Sequence, residues 1–323
     1  MKKILLTGTS GFIASKTAEL FLKKNYEVIG IDNMNDYYDV KLKDYRLRQL
    51  KKLDNFTFHK LDIEDLSALK RLFKKHAFDA VVNLAARAGV RYSIVNPHVY
   101  FTTNANGTLN LLELCKDHNI KKFVLASTSS LYAGQKMPFK ETLPVNTPIS
   151  SYAASKKAAE VTCYTYNYLY NIDITIVRYF TVYGPAGRPD MCLFRFIKWI
   201  DEGKTMELFG DGSQSRDFTY VDDIASGTVK ALKKVGIKTI NLGGGHNPYS
   251  LHYLIELIEK NLGKKAKIKK FPFPKTDMKS TWADISQAKE ILKWKPSISL
   301  EEGVRRTVQW YQDNKKWIKD VQL

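Results

Sequence analysis

The sequence predicts an α/β fold, in which a doubly wound parallel sheet is joined to a smaller, interleaved α/β lobe. Three observations carry this prediction. Short apolar runs alternate with helical patterns over residues 3–183, which is typical of β-α-β units. A glycine-rich turn follows the first apolar run, and Asp32 ends the second. Beyond Tyr183 the alternation gives way to a stretch rich in proline and glycine.

The first β-α-β unit has the features of a Rossmann dinucleotide-binding unit. Gly8 permits a tight turn after the strand, and Gly11 lets the backbone approach a pyrophosphate at the N-terminus of the helix. Ala14, at the third small position, still permits close helix packing. The Asp32 carboxylate can accept both hydrogen bonds from the adenosine ribose and would repel a 2′-phosphate, which favours NAD over NADP.

Further elements follow along the chain. The pattern predicts strands at 3–6, 26–31, 56–60, 80–86, 123–127, 174–178 and 239–242, and helices at 66–75, 99–118, 151–170, 193–202 and 217–234. The tail from residue 250 predicts a helix, a basic strand and a terminal helix with Trp310. We expect residues 1–183 with about 217–245 to form the NAD-binding domain, and about 184–216 with 246–323 to form a substrate-binding lobe across a cleft.

The composition indicates a globular protein and excludes several classes of function. The 323 residues are 44% hydrophobic and 26% charged, without a run of about 18 apolar residues that would cross a membrane. Cys115, Cys163 and Cys192 form no C-x-x-C motif, so we expect a cytoplasmic protein without disulfides. The six histidines lack metal-ligand spacing, and we expect no metal site. We interpret the scattered lysines behind the net charge of +18 as solvated, so we expect no nucleic acid partner.

Tyr152 and Lys156 are the strongest catalytic signal. They are about one helical turn apart in alanine-rich sequence, so both side chains leave the same face of the predicted helix. A phenol with a pKa of about 10 is a poor base at neutral pH, and a nearby ammonium lowers that pKa. The spacing therefore predicts a base that takes a proton from an alcohol. The alternative, an exposed tyrosine beside a solvated lysine, is not excluded by the pair alone.

Several short motifs occur together in order along the chain. They are Thr7-Gly8-x-x-Gly11-Phe12-Ile13, Asp32-Asn33, Leu84-Ala85-Ala86, Ser127-Thr128-Ser129, Tyr152-x-x-x-Lys156 and the run from Asp217 to Asp223. With this set the sequence resembles, over essentially its whole length, the extended short-chain dehydrogenase/reductase family of nucleotide-sugar epimerases and dehydratases. Residues 32–40, 88–93 and 180–191 resemble in particular the UDP-glucuronate 4-epimerases.

The resemblance implies NAD as the cofactor, a UDP-sugar acid as the substrate, and a homodimer formed through the helices at 99–118 and 151–170. It implies a catalytic triad of Thr128, Tyr152 and Lys156. The cofactor residues that it implies are Gly8, Gly11, Phe12, Ile13, Asp32, Asn33, Asp62, Ile63, Leu84, Ala85, Ala86, Asn104, Tyr152, Lys156 and Tyr179. The substrate residues that it implies are Arg91, Ser129, Ser130, Thr181, Arg188, Arg216 and Asp277.

The reaction that the resemblance implies is 4-epimerisation of UDP-glucuronate to UDP-galacturonate. Tyr152 would take the proton of the 4-hydroxyl while hydride leaves C4 for NAD, the 4-keto sugar would rotate, and hydride would return to the other face. Related decarboxylases carry a glutamate where Ser130 stands, and 4,6-dehydratases carry an Asp-Glu pair at the positions of Ser129 and Ser130. The lack of these carboxylates argues against both reactions.

Two other functions remain open on the sequence. One is 4-epimerisation of a neutral UDP-hexose such as UDP-glucose, and the other is a non-catalytic nucleotide- or RNA-binding relative, which the net charge would suit. Arg87 stands where glutamine is common in the family, and it could contact the substrate or point outward. The turn at residues 274–277 also departs from the family pattern, which bears on the choice of uridine.

Overall fold

The computed structural model describes residues 1–274 and 277–323, so part of the turn at 274–277 lies outside the described residues. Its strands are β1 Lys3–Thr7, β2 Glu27–Asp32, β3 Phe56–Lys60, β4 Ala80–Asn83, β5 Lys122–Thr128, β6 Asp173–Tyr179, β7 Thr181–Tyr183, β8 Thr205–Phe209, β9 Ser215–Arg216, β10 Phe218–Tyr220, β11 Ile237–Leu242, β12 Tyr249–Ser250 and β13 Lys267–Phe271.

The helices lie between these strands and after the last of them. They are α1 Phe12–Lys23, α2 Val40–Leu50, α3 Leu66–Lys75, α4 Tyr92–Val95, α5 His98–Tyr100, α6 Gly107–Asp117, α7 Ser151–Tyr170, α8 Cys192–Asp201, α9 Val221–Lys230, α10 Leu251–Leu262, α11 Ser286–Ile291, α12 Leu300–Asp313 and α13 Lys315–Ile318. A π-helical segment, Phe101–Asn106, joins α5 to α6, and a 3-10 turn, Ser129–Tyr132, follows β5.

The central sheet has seven parallel strands in the order β11-β6-β5-β4-β1-β2-β3. The strand order reverses between β1 and β4, and in open α/β sheets ligands bind outside the carboxyl ends of the strands at such a reversal. Thr7, Asp32, Asn83 and Thr128 end the strands around this point. The predicted doubly wound parallel sheet is confirmed.

Apolar cores cover both faces of the sheet, and a further core forms the second lobe. Val124 belongs to the core on one face and Leu112 to the core on the other. The core of the second lobe joins α8, α10 and α12 through residues such as Phe196, Leu254 and Val304. Three small two-stranded sheets border this lobe: β7 with β10, β9 with β12, and β8 with β13. The cleft between sheet and lobe is therefore bounded by two packed bodies.

Helix α7 carries the predicted catalytic pair. It begins after Ser150, whose hydroxyl accepts a hydrogen bond from the Ala153 N–H at 3.2 Å. It ends at Asn171, which has a left-handed conformation with φ of 52°. Serine at the N-cap and asparagine at a left-handed C-terminal position are both favoured. Lys156 lies on the buried face, so the helix points the pair toward the sheet.

The predicted strand 80–86 ends at Asn83, and the predicted helix 99–118 is divided by the π-helical segment Phe101–Asn106. Two further segments differ more. The predicted helix 217–234 begins only at α9, because Phe218–Tyr220 forms β10 and pairs with β7. The alternation of large residues in Phe-Thr-Tyr suits a buried strand. Helix α2 was not predicted, because residues 41–60 are a run that contains several of the lysines that we interpreted as solvated; yet Leu42 and Leu50 in α2 are fully buried. Lys43 in the same run is only 4% exposed, which corrects that interpretation for this residue.

Candidate active site

The candidate site is a cleft of about 800 Å³ at the carboxyl edge of the central sheet. Its floor is made by the ends of β1, β2, β4, β5 and β6, and its far wall by the second lobe. The lining includes Tyr152, Lys156 and Thr128 together with all of the predicted substrate residues. Residues that are far apart in the sequence are thus brought to one cavity.

The glycine-rich turn forms the end of the cleft that suits a dinucleotide. Gly8 has a φ of +72°, and a Cβ on it would lie 2.9 Å from the backbone N and Cα of Ala85. Gly11 is the N-cap of α1, which has no side-chain cap and no acidic residue in its first turn. The N–H groups of that turn are therefore free to bind an anion such as a pyrophosphate. This cradle fits the pyrophosphate of NAD, as the sequence predicts.

Acidic and amide side chains border the same end of the cleft. The Asp32 carboxylate accepts hydrogen bonds from the Ser10 N–H at 3.1 Å and the Met34 N–H at 2.8 Å. Asn33 donates to Asp62 Oδ2 at 2.6 Å. Each carboxylate oxygen has a second lone pair, so Asp32 can still accept from ribose hydroxyls. The other predicted cofactor residues that line the cleft are Phe12, Ile13, Ile63, Leu84, Ala85, Ala86 and Tyr179.

Tyr152 lines the cleft, partly buried beside Thr128 and Tyr100. Its ring makes an edge contact with that of Tyr100, with 6.0 Å between the centroids. Burial raises the pKa of the Tyr152 hydroxyl, while the neighbouring Thr128 hydroxyl and the positive charge of Arg188 lower it. Thr128 is itself fixed by accepting from the Ser130 N–H at 3.1 Å. The positive charge that acts on the phenol thus comes from Arg188.

Lys156 lines the cleft, but its ammonium bonds the backbone of β5 instead of the phenol. Its ammonium donates to the Ala126 carbonyl at 2.8 Å, and burial lowers its pKa to about 8, against the charge of Glu160, which raises it. No hydrogen bond joins it to Tyr152 in the structure. The predicted lowering of the Tyr152 pKa by Lys156 is therefore not seen here, because the carbonyl at the end of β5 takes the ammonium.

A buried ionic network supports α7 from below. Arg178 donates to Glu160 Oε1 at 2.9 Å and to Oε2 at 2.6 Å, and Ser127 donates to Glu160 Oε1 at 2.6 Å. Arg178 also donates to the Tyr132 hydroxyl at 2.8 Å, which in turn donates to Asn241. The network ties α7 to β5, β6 and β11. The sequence did not predict this network, because nothing in the local pattern indicates that Glu160 and Arg178 are partners.

Hydroxyl side chains and Arg188 line a further part of the cleft. Ser129, Ser130 and Thr181 lie there beside Arg188. Thr181 is positioned by β7, where its N–H donates to the Asp217 carbonyl at 3.2 Å. Arg188 donates from Nε to Asp190 Oδ1 at 3.0 Å and from Nη2 to Asp190 Oδ2 at 2.6 Å. This part of the cleft thus offers several donors to an anionic or hydroxyl-rich group.

The mouth of the cleft joins the two bodies through an ion pair. Arg91, from the loop after β4, donates to Asp277 Oδ2 at 2.9 Å, and its guanidinium lies 4.2 Å from the centre of the Phe209 ring. Arg216 lines the cleft nearby and donates to the Ser215 carbonyl at 2.8 Å. Burial lowers the pKa of Arg216. The predicted substrate residues Arg91 and Asp277 therefore contact each other.

Two predicted positions are clarified by their contacts. Asn104 is only 1% exposed and does not line the cleft, because its side chain bonds the backbone of Arg87 on both sides and donates to Ser155 at 2.9 Å. We expected Asn104 to contact the cofactor directly. In the structure it instead connects the loop after β4 to α7. Arg87 lines the cleft, and its Nε is buried without a hydrogen-bond partner. The outward orientation of Arg87 is thus excluded.

Two buried cations near the cleft were not predicted: Lys43, which lines it, and Arg46, which does not. Lys43 donates to the Asn35 carbonyl at 2.7 Å, and burial lowers its pKa to about 8, against the charge of Asp32, which raises it. Arg46 donates to the carbonyls of Ser10, Ala186 and Gly187, and so links the glycine-rich turn to the loop that carries Arg188. The only available signal was the apolar spacing inside a lysine-rich run. Among the described residues, no group of three or more metal-ligating side chains is arranged to hold a metal ion.

The helices of the described residues include none that is both long and apolar enough to cross a membrane.

Residues 4–243 match the family model described as "NAD dependent epimerase/dehydratase family". Among curated proteins, the chain is 57% identical over 319 residues to a protein of Thermodesulfobacterium geofontis named UDP-glucuronate 4-epimerase, with 99% of both chains covered.

Solved structures give the same picture. The UDP-glucuronic acid 4-epimerase of Bacillus cereus, in complex with UDP-glucuronic acid and NAD, superposes with a TM-score of 0.89 at 39% identity, covering 97% of this chain and 99% of that one. The UDP-glucose 4-epimerase of Thermotoga maritima, in complex with UDP-glucose, superposes with the same TM-score at 31% identity and the same coverage. Both similarities span the cleft and both lobes.

Proposed function

Because the chain belongs to the NAD dependent epimerase/dehydratase family, we propose that it interconverts UDP-glucuronate and UDP-galacturonate by epimerisation at C4 of the sugar. The observation that carries the proposal is the joint placement of Tyr152, Thr128 and Arg188 in one cleft. The first two suit proton transfer at a hydroxyl, and the third suits a carboxylate. The 57% identity to the Thermodesulfobacterium geofontis protein supports the same substrate.

The glycine-rich end of the cleft would hold NAD. In our proposal the N–H groups at the start of α1 bind its pyrophosphate, and Asp32 binds the adenosine ribose, with Asp62 near the adenine. NAD, when bound, supplies reversible hydride transfer at C4 of the sugar. Because the hydride is returned in the second half-reaction, the cofactor ends as it began and need not leave between turnovers.

Tyr152 would act as the base that takes the proton from the sugar 4-hydroxyl and returns it after rotation. Thr128 would orient that hydroxyl by a hydrogen bond, since its own hydroxyl lies at the end of β5 beside the phenol. Lys156 would bind the nicotinamide ribose of NAD and keep a positive charge near the Tyr152 phenolate. Burial opposes ionisation of Tyr152, so the nearby cations are needed to make the phenolate accessible.

The sugar carboxylate would bind at the end of the cleft that holds Ser129, Ser130, Thr181 and Arg188. A 4-keto sugar with a carboxylate on C5 is a β-keto acid, which loses CO2 when the carboxylate is suitably aligned. The hydroxyls would hold it away from that alignment. Arg216 would bind the diphosphate. Arg91 and Asp277 would close over the nucleoside, supported by the ion pair at the mouth.

An NMR time course of the purified protein with UDP-glucuronate tests the proposal. We expect signals of UDP-galacturonate to grow until the two epimers reach equilibrium, also without added NAD if the protein retains its cofactor. Growth of UDP-pentose signals instead would identify a decarboxylase. Turnover of UDP-glucose alone would favour the second candidate, a neutral UDP-hexose 4-epimerase, which the Thermotoga maritima similarity and the neutralisation of Arg188 by Asp190 support.

Removal of the Arg188 charge is expected to abolish the preference for the sugar acid. In Arg188→Met, KM for UDP-glucuronate should rise about 10- to 100-fold, because a charge-assisted hydrogen bond to the carboxylate is lost. Steady-state kinetics with UDP-glucuronate and UDP-glucose measure this. The matched control is Arg305→Met, on the exposed face of α12. A preference that survives in Arg188→Met would assign carboxylate recognition to other residues.

We also propose a homodimer formed through α7 and the helical segment around α6. The exposed face of α7 carries Val161, Tyr164 and Tyr168, which are 51%, 61% and 75% exposed and follow helical spacing. Phe101 and Leu109 are exposed beside it, at 42% and 40%. An apolar face of this kind marks an association site, and two such helix pairs would form a four-helix bundle.

Charge placed on this face is expected to separate the dimer. Val161→Glu with Tyr164→Glu would bury two carboxylates in an apolar interface, so sedimentation equilibrium should report about half the mass of the parent protein. The control is a pair of glutamates on the exposed face of α12, Gln309→Glu with Arg305→Glu, which should leave the mass unchanged. A monomeric parent protein would contradict the proposal directly.

The domain division would follow the two bodies that border the cleft: residues 1–183 with about 217–245 for NAD, and about 184–216 with 246–323 for the nucleotide sugar. A cytoplasmic location is supported by the free thiols of Cys115, Cys163 and Cys192, since disulfides are rare in that compartment.

A further inference from the structure

Arg188 already holds a carboxylate of its own chain. Its Nε and Nη2 donate to the two oxygens of Asp190 at 3.0 and 2.6 Å, and Nη2 also donates to the Ala88 carbonyl at 3.1 Å. Two parallel bonds of this kind fix the plane of a carboxylate, and they are the strong form of arginine recognition. The edge of the guanidinium that would bind a sugar carboxylate most firmly is therefore the edge that Asp190 occupies.

The donors that Arg188 can offer to a substrate are those of Nη1. A guanidinium has five N–H groups, and Asp190 and the Ala88 carbonyl use the one on Nε and the two on Nη2. Nη1 has no hydrogen-bond partner within residues 1–274 and 277–323. The guanidinium carbon lies 5.5 Å from the centre of the Tyr37 ring and 5.8 Å from that of Tyr38, which restrict its movement. Arg188 thus offers the substrate one nitrogen instead of two.

We propose that Asp190 limits the hold of Arg188 on the substrate carboxylate, so that the oxidised sugar can rotate between the two half-reactions. The inference rests on the proposed epimerase function. In a 4-epimerisation the ring must present both faces of C4 to the same side of the cleft, and the carboxylate on C5 moves with the ring. A two-nitrogen arginine clamp would have to break two charge-assisted hydrogen bonds at each rotation, whereas a contact through Nη1 breaks one. Asp190 is a positioning residue in this account.

The position of Asp190 suits this role. It is two residues from Arg188 in the loop before α8, and the Met191 N–H donates to the Arg188 carbonyl at 3.2 Å, which closes the turn between them. A carboxylate just before a helix is also favoured by the helix dipole. The side chain of Asp190 is 36% exposed, so it can be replaced without opening the core.

The kinetics of Asp190→Ala with UDP-glucuronate test the inference. We expect KM and kcat to fall together: KM by about tenfold, because the freed edge of Arg188 gains a charge-assisted hydrogen bond to the substrate, and kcat because rotation must now break it. With neutral UDP-glucose both parameters should remain those of the parent protein. Asp190→Glu, which retains a carboxylate, should restore the parental values for UDP-glucuronate. Damage to the fold alone would raise KM, so the joint fall distinguishes the two effects.

Asp313→Asn, on the exposed end of α12, is the control variant and should match the parent protein. A rise of KM in Asp190→Ala, or unchanged KM and kcat, would overturn the inference. A second measurement needs no turnover: calorimetric titration of UDP-glucuronate into NAD-loaded Tyr152→Phe protein, with and without Asp190→Ala. Tighter binding with Asp190→Ala supports the inference, and equal or weaker binding contradicts it. Failure of the proposed function would show separately, as absence of UDP-galacturonate with the parent protein.

Discussion

Substitution of Tyr152 by phenylalanine is expected to lower kcat for UDP-glucuronate by about 10³-fold, because general-base catalysis contributes that order of rate enhancement. Only the phenolic hydroxyl group is removed, and the ring contact with Tyr100 remains. Thr128 can orient the 4-hydroxyl but cannot take its proton at neutral pH. KM should change little, since the carboxylate and diphosphate contacts are retained. Steady-state kinetics by NMR or by coupled assay measure both parameters.

Tyr253→Phe is the matched control, because Tyr253 lies on α10, away from the cleft, and its hydroxyl donates to Glu301. It should retain the parental kcat. Retained NAD absorbance and an unchanged melting temperature in Tyr152→Phe would show that the fold and the cofactor site are intact. A Tyr152→Phe protein with parental kcat would remove Tyr152 from the role of base.

The largest expected loss of stability comes from the ionic network under α7. Glu160→Gln would leave the Arg178 guanidinium buried without a counter-charge, since their side chains are only 5% and 4% exposed. Breaking such a buried pair costs about 3–5 kcal/mol. The midpoint of urea unfolding should therefore fall clearly, as followed by circular dichroism.

The control for this prediction is Glu27→Gln, which removes the partly exposed ion pair with Lys3 at 3.1 Å. Pairs of that kind contribute at most about 1 kcal/mol. If both variants unfold at the same urea concentration, the Glu160–Arg178 pair does not hold α7 on the sheet.

The parts of the site that local sequence encodes were predictable. Gly8 and Gly11 are required by backbone geometry at the first turn, and Asp32 follows from its place at the end of a strand. The helix that carries Tyr152 and Lys156 has bounds that agree with the predicted ones. The family resemblance, the parallel sheet and NAD as the cofactor are confirmed by the family match and the related structures.

The parts that tertiary contacts decide were not predictable. The ammonium of Lys156 is taken by the Ala126 carbonyl, a strand end that becomes its neighbour only in the folded sheet. We expected Asn104 to contact the cofactor, but its side-chain amide forms hydrogen bonds with the backbone N–H and carbonyl of Arg87. The burial of Lys43 could not be predicted from a run of lysines, because burial there depends on how α2 packs against α1 and the core of the second lobe.

Epimerisation of UDP-glucuronate in D2O, followed by NMR, tests the central claim most directly. The account predicts UDP-galacturonate that carries a proton at C4, because the hydrogen that leaves C4 as hydride is returned inside the cleft without exchange with solvent. Deuterium at C4 of the product would mean that C4 loses a proton instead, and it would contradict the proposed chemistry.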